Sequence, residues 1–231
     1  MAASDYVTDV QGLYVAYYGR WADVSGLDFW TRAVDAADGD LNEMINAFGT
    51  SDEYEETYAD YLDADGEISD ASGLINQLYV NMFGRDAEQE GLDFYVNLLN
   101  AGTSTFAEIA LDIFNGATGN DKDILDNKVK VAEYATDALD GADDASYSGA
   151  DDIAAAAAIL ADVDASGVSV ATAQDAVNDT YGAGGQTFTL TTDADTLGPN
   201  VAVATSRTTD GDDTIRAVTA NSLETEDVVD G

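Results

Sequence analysis

The chain has 231 residues, 46 of them acidic and 8 basic, for a formal net charge of -38, and it contains neither histidine nor cysteine. That rules out disulfides, thiolate or imidazole metal sites, and any Ser-His-Asp or Cys-His catalytic arrangement, and it removes the basic footprint that nucleic-acid binding needs. Hydrophobic residues still make up 45%, enough for a packed core and unlike a disordered chain. So acidic a surface repels itself at low ionic strength. Salt at seawater strength, with a screening length of roughly 3–4 Å, or bound divalent cations relieve that repulsion. The charge therefore suits a halophilic or marine setting.

In chain order, the first stretch, MAASDYVTDV, has no basic n-region and no long apolar h-region, so no cleavable signal peptide is expected. No apolar run reaches the 18 residues or so that a membrane span needs. Residues 1–183 read as helical. Tyr6, Val10, Leu13, Tyr14 and Tyr17, then Leu27, Trp30 and Val34, then Leu41, Met44, Ile45 and Phe48 follow the helical period. Leu13–Trp30 (LYVAYYGRWADVSGLDFW) recurs 65 residues later as Leu78–Tyr95 (LYVNMFGRDAEQEGLDFY), ungapped and with ten of eighteen positions identical. Such self-similarity signals stacked modules. The offset carries on to Phe106, Ile109, Ala110 and Ile113, which predicts repeat units at about 6–62 and 71–120.

Gly19 and Gly84 stand where helices should stop in a left-handed conformation. Capping-box spacing at Ser25/Asp28, Thr105/Glu108, Ser148/Asp151 and Thr172/Asp175 marks predicted helix starts. The connector Leu62–Asp70 is turn-rich. Residues 121–181 hold further helices, with alanine-rich Ile153–Val163 expected to pack tightly on nearly every face. Gly182, Gly184 and Gly185 mark the predicted domain boundary. After it QTFTLTT alternates like a strand, and residues 186–231 read as the start of a β-rich region that runs on into a longer protein. The residues alone therefore give a mainly α fold class, a duplicated helical bundle followed by the start of a β-rich region.

The repeated block Leu-Tyr-x-x-x-x-Gly-Arg-x-Ala-(Asp/Glu)-x-x-Gly-Leu-Asp-Phe-(Trp/Tyr) resembles a helical domain of unassigned function found in secreted bacterial proteins, often beside RTX (repeats-in-toxin) calcium-binding repeats and S-layer proteins. Phe48-Gly-Thr-Ser-Asp-Glu-Tyr54 resembles a second element of that domain, which the second copy lacks, having Phe114-Asn-Gly-Ala-Thr instead. Phe188–Leu197, Thr209–Ile215 and Asp227–Gly231 are similar to the entry into the repetitive β region of a Caulobacter-type S-layer protein. The resemblance implies a helical N-terminal part that anchors a two-dimensional self-assembled lattice to lipopolysaccharide O-chains on the outer membrane. It also implies a calcium-rich β-solenoid and type I secretion with an uncleaved C-terminal signal.

Three groups of residues could carry chemistry. With imidazole and thiol absent, hard cations held by oxygen remain, calcium above all. Asp193, Asp195, Asp210, Asp212, Asp213, Asp227 and Asp230, beside Gly and Thr, have the short Asp-x-Asp spacing that converges carboxylates on one Ca2+ ion; the bland alternative is solvated loop aspartates. Asp63, Asp65, Gly66 and Ile68 fall at four EF-hand positions. Tyr61 and Ser72 at the first and twelfth supply no adequate ligand, so an Asx-type turn is expected. Tyr17, Tyr18, Arg20, Trp21, Asp23 and Trp30 combine aromatic faces with carboxylate and guanidinium groups, as sugar sites do. Trp21 becomes Asp86 in the second copy, which predicts an exposed position. The same residues also suit a packing role, with Tyr14, Phe29 and Trp30 in the core and Arg20 and Arg85 each paired with an acid or a helix C-terminus.

Nothing singles out a catalytic carboxylate pair, and no enzyme is expected. The expected function is a secreted, structural cell-surface protein: an S-layer anchor binding lipopolysaccharide or another surface polysaccharide, assembling with itself, and neither binding nucleic acid nor inserting into the membrane. An RTX-type adhesin or biofilm-matrix protein, and an accessory region of a polysaccharide-degrading enzyme, are the alternatives.

Overall fold

In a computed structural model, the structure describes residues 2–139, 147 and 149–181, and the backbone of residues 187–190, 196–197, 214–217 and 228–229. After a short 3-10 turn at Ala3–Tyr6 come α1 (Val7–Tyr18), α2 (Val24–Ala36), α3 (Asn42–Phe48) and α4 (Asp52–Thr57). The second unit follows as α5 (Ala71–Phe83), α6 (Gln89–Asn100) and α7 (Phe106–Gly116). Then come α8 (Gly119–Leu139), α9 (Ala150–Ala161) and α10 (Gly167–Tyr181).

The duplication is written into the backbone. α1 and α5 both end on a left-handed glycine, Gly19 and Gly84, each at φ 67°, whose N–H returns to Val15 O and Val80 O respectively. Only glycine enters that region without a Cβ penalty. A polar lock inside each unit repeats as well. Gln11 Oε1 accepts the Ala22 N–H at 3.0 Å, and 65 residues on Asn76 Oδ1 accepts the Ala87 N–H at 3.0 Å.

The first helix is the hub. Every residue of α1 from Val10 to Tyr18 is buried, under α2, α5, α7 and α8. A helix covered on all sides must be apolar all round, and from Val10 onward α1 is, apart from Gln11, whose amide also donates to Thr136 Oγ1. Gly12 permits a close approach: a Cβ there would lie 2.5 Å from the Phe114 ring on α7. The units are tied by stacked capping. Asn81 Nδ2 donates to Ala16 O and Tyr17 O at the end of α1, both at 3.3 Å, and Lys128 Nζ on α8 donates to Asn81 O at 2.6 Å.

Some expected details change. The Thr105–Glu108 capping box is present, with both reciprocal bonds. α2 is instead capped by Asp23, which accepts the Gly26 N–H at 2.7 Å, because the extended backbone lies at Asp23, ahead of Ser25. Thr172 sits inside α10 and bonds back to Val168 O, so it caps nothing. Ser148 lies outside the described residues; Gly149 occupies the cap position and donates to Asp152 Oδ2. α9 fully buries only Ala156 and Leu160, an i,i+4 stripe against α8 and α10, while Ala155 and Ala157 are half-buried and Ala150, Ala154, Ala158 and Ala161 are exposed.

The expected β-solenoid is corrected. Beyond the helices, the described residues hold four strands, β1 (Thr187–Leu190), β2 (Thr196–Leu197), β3 (Thr214–Ala217) and β4 (Val228–Val229). They pair as two separate two-stranded parallel ladders, β1 with β3 and β2 with β4. A solenoid needs at least about three stacked repeats to bury a continuous core. Strands of two to four residues in isolated pairs build none, so among the described residues there is no solenoid and no RTX-type fold. Among the described residues no helix is long and apolar enough to cross a membrane.

Candidate functional site

The aromatic–arginine cluster of the first unit is closed. Arg20 forks onto Glu53 of α4, with Nε–Oε1 at 2.6 Å and Nη2–Oε2 at 2.7 Å, and gives Nη1 to Trp21 O at 2.7 Å. Its guanidinium lies over the Tyr14 and Tyr18 rings, 5.0 and 5.5 Å from their centroids. Burial works against its charge, but the Glu53 hydrogen bonds outweigh it and the pKa stays raised. Burial pushes the neighbouring Tyr18 hydroxyl up to about 12.

Tyr17, Tyr18, Arg20 and Trp21 are all buried, so in this fold they offer no face to a sugar. The expectation of an exposed Trp21 is corrected. It is 0% exposed, stacked on Tyr147 at 5.7 Å and met edge-on by Tyr181 of α10 at 5.5 Å. Its counterpart Asp86 is exposed. The comparison between copies misleads here because the segment from Tyr147 to α10 covers only the first unit's position. Asp23 serves as the α2 cap, and Trp30 is half-buried against Phe48, ring centroids 6.0 Å apart.

What faces outward is a residue assigned to the core from sequence. Phe29 on α2 is 60% exposed, and Phe94, at the same place on α6, is 57% exposed. Each stands edge-on to its neighbour, Trp30 at 4.9 Å and Tyr95 at 5.1 Å. Each follows an exposed aspartate, Asp28 or Asp93. The helical wheel carries the signal: position 29 lies about 200° around from Leu27, off the stripe formed by Leu27, Thr31 and Val34.

The second unit repeats the arginine framework in open form. Arg85 forks onto Asp121 of α8 at 3.1 and 2.6 Å, meets Glu88 Oε1 at 3.3 Å and gives Nη1 to Asp86 O at 2.9 Å. Its side chain is 35% exposed against 6% for Arg20. The Asp121 hydrogen bonds raise its pKa. A pocket of about 140 Å³ opens beside it, between Tyr79, Glu88, Tyr95 and Ile113. A larger cleft of about 630 Å³ lies between the N-terminal turn, α2 and α8, with Val24 and Leu27 on its floor and Lys130, Glu133, Tyr134 and Asp137 along α8.

All seven aspartates assigned to calcium, Asp193, Asp195, Asp210, Asp212, Asp213, Asp227 and Asp230, lie outside the described residues. Among the described residues no group of three or more acidic side chains is arranged to hold a metal ion. The connector is the expected Asx-type turn. Asp63 Oδ1 accepts the N–H groups of Asp65 and Glu67, Gly66 takes φ 81°, and Asp70 caps α5.

Residues 63–118, most of the second unit, match the family model described as "Domain of unknown function (DUF4214)". No curated protein and no solved structure matches the chain.

Proposed function

We propose that this chain is the helical attachment part of an S-layer protein, holding a self-assembled surface lattice to cell-surface polysaccharide such as a lipopolysaccharide O-chain. The observation that carries the reading is the pair Phe29 and Phe94, the same large apolar side chain kept outward at equivalent places in both units. An exposed phenylalanine adds little to folding, since its burial energy is mostly unrealised. It does give a flat apolar face for the C–H side of a sugar ring, and Asp28 and Asp93 beside it can accept hydroxyl protons. Two equivalent weak sites on one chain, multiplied across a lattice, produce firm attachment through effective concentration. The -38 charge makes a neutral glycan a better partner than an acidic one.

The test is an array of neutral, N-acetylated and uronic-acid glycans, together with polysaccharide extracted from the producing cells. It is probed with the wild type, Phe29→Ala, Phe94→Ala and the double variant. Each single change should weaken polysaccharide binding by about tenfold, the loss of one apolar contact worth about 1.4 kcal/mol, and leave thermal stability unchanged. A double variant that binds every surface as the wild type does refutes the reading.

A further inference from the structure

We infer that the pocket around Arg85 is a subsite for a single neutral pyranose ring, and that the first unit carries the same site in a filled, purely structural form. This rests on the proposal that the protein binds polysaccharide and names where one sugar residue seats.

The comparison between units makes the case. Tyr14, Arg20, Asp23 and Trp30 of the first unit correspond to Tyr79, Arg85, Glu88 and Tyr95 of the second. Both arginines make the same three kinds of contact: a fork onto an acid from a later helix, a bond to the next residue's carbonyl, and a place over the tyrosine ring. What differs is the plug. In the first unit Phe48 fills the space, its ring centroid 4.9 Å from both Tyr14 and Tyr18. Its counterpart is Ile113, which lines the pocket and leaves it open. Gly116, also on the lining, has free space where a side chain would start.

Glu88 gives an independent sign. It stands at the N-cap of α6, where its counterpart Asp23 caps α2 by accepting a backbone N–H. Glu88 makes no cap bond and lies instead against Arg85. A helix start has been left uncapped, and the carboxylate stands at the pocket.

The contents set the ligand. At about 140 Å³ the pocket is well below the roughly 300–1,000 Å³ of sites for drug-sized molecules, so it admits one ring. Tyr79 and Tyr95 supply aromatic faces, and Glu88 and Asp121 supply acceptors for hydroxyl groups. Two carboxylates around one guanidinium leave the pocket net negative, which disfavours uronic acids and phosphorylated sugars.

The test is to plug the pocket as the first unit does. Titration calorimetry is run with glucose, mannose, galactose, rhamnose, N-acetylglucosamine, their oligomers, and glucuronic acid. Ile113→Phe should keep the helical circular dichroism and melting temperature yet lose at least tenfold in affinity for the neutral sugar that the wild type binds. Glu88→Ala, an exposed change, should lose affinity in the same way and serves if Ile113→Phe disturbs folding. Neutral-sugar binding that survives both pocket variants overturns the subsite, while the polysaccharide reading stands if Phe29→Ala and Phe94→Ala still weaken attachment. A wild type that binds glucuronic acid in preference to neutral sugars overturns the subsite alone, and one that binds no glycan overturns both.

Discussion

Lys128 should make this protein more stable as the solution turns alkaline. Its side chain is 1% exposed, its Nζ donates to Asn81 O, and none of the ion pairs among the described residues reaches it. Burial lowers its pKa from 10.5 to about 8. The unfolded chain therefore binds more protons than the folded one between those two values, and stability rises with pH wherever that holds. At neutral pH the folded state carries the cost of a buried ammonium. Raising the pH through 8 relieves it, and a shift of this size gives a gain of about 2 kcal/mol between pH 7 and 9.5. The window closes near pH 10. Burial raises the pKa of tyrosines such as Tyr18 and Tyr181 to about 12 in the folded state, so above their ordinary value the unfolded chain sheds protons first and stability falls. Urea unfolding at constant ionic strength, followed by circular dichroism at half-unit pH steps, measures the curve. Lys128→Met, which keeps the apolar stem, should flatten it. A wild type whose stability is level or declining from pH 7 to 9.5, or a variant with the same rise, would refute the reasoning.

The two arginine forks should differ in worth. Glu53→Gln strips the buried Arg20 of its partner and should cost about 2–4 kcal/mol, whereas Asp121→Asn, beside a more exposed Arg85 with Glu88 still present, should cost about 1 kcal/mol. Equal losses in urea unfolding at pH 7 would contradict the difference in burial. The melting temperature should climb steadily as sodium chloride rises from about 0.05 to 0.5 M, because the screening length falls from about 14 to about 4 Å around a chain of net charge -38. A melting temperature that falls with salt would show that self-repulsion does not limit stability.

The sequence shows most clearly what depends on local chemistry. The 65-residue offset, the glycine ends of α1 and α5 and the Thr105–Glu108 box all reappear in the fold, because each is decided within one turn of helix or by direct repetition. What stays hidden depends on neighbours remote in the chain. Trp21 is covered by Tyr147 and Tyr181, over a hundred residues away, so comparison with Asp86 gives the wrong side. Phe29 is shared by both copies, and shared apolar identity reads as core, yet its angle on the helix turns it to solvent. For Arg20 and Arg85 the sequence suggests either an acid or a helix C-terminus as partner and does not say which. Glu53 and Asp121 come from helices whose position no repeat encodes, since Glu53 aligns with Thr118. Alternation in QTFTLTT pointed to a strand, which is present, but the solenoid that the family resemblance implied is a stack that two isolated ladders do not form.

The stacked capping of α1 by Asn81, and of α5 by Lys128, makes each unit a debtor to the one after it. The region that similarity marks out, residues 63–118, stops just short of both Asp121 and Lys128. Cut along that line, the excised piece would lose the acid that steadies its arginine and the ammonium that closes its first helix. Ancestry and packing thus draw different borders on this molecule, since the core that holds both units runs on through α8 and α10.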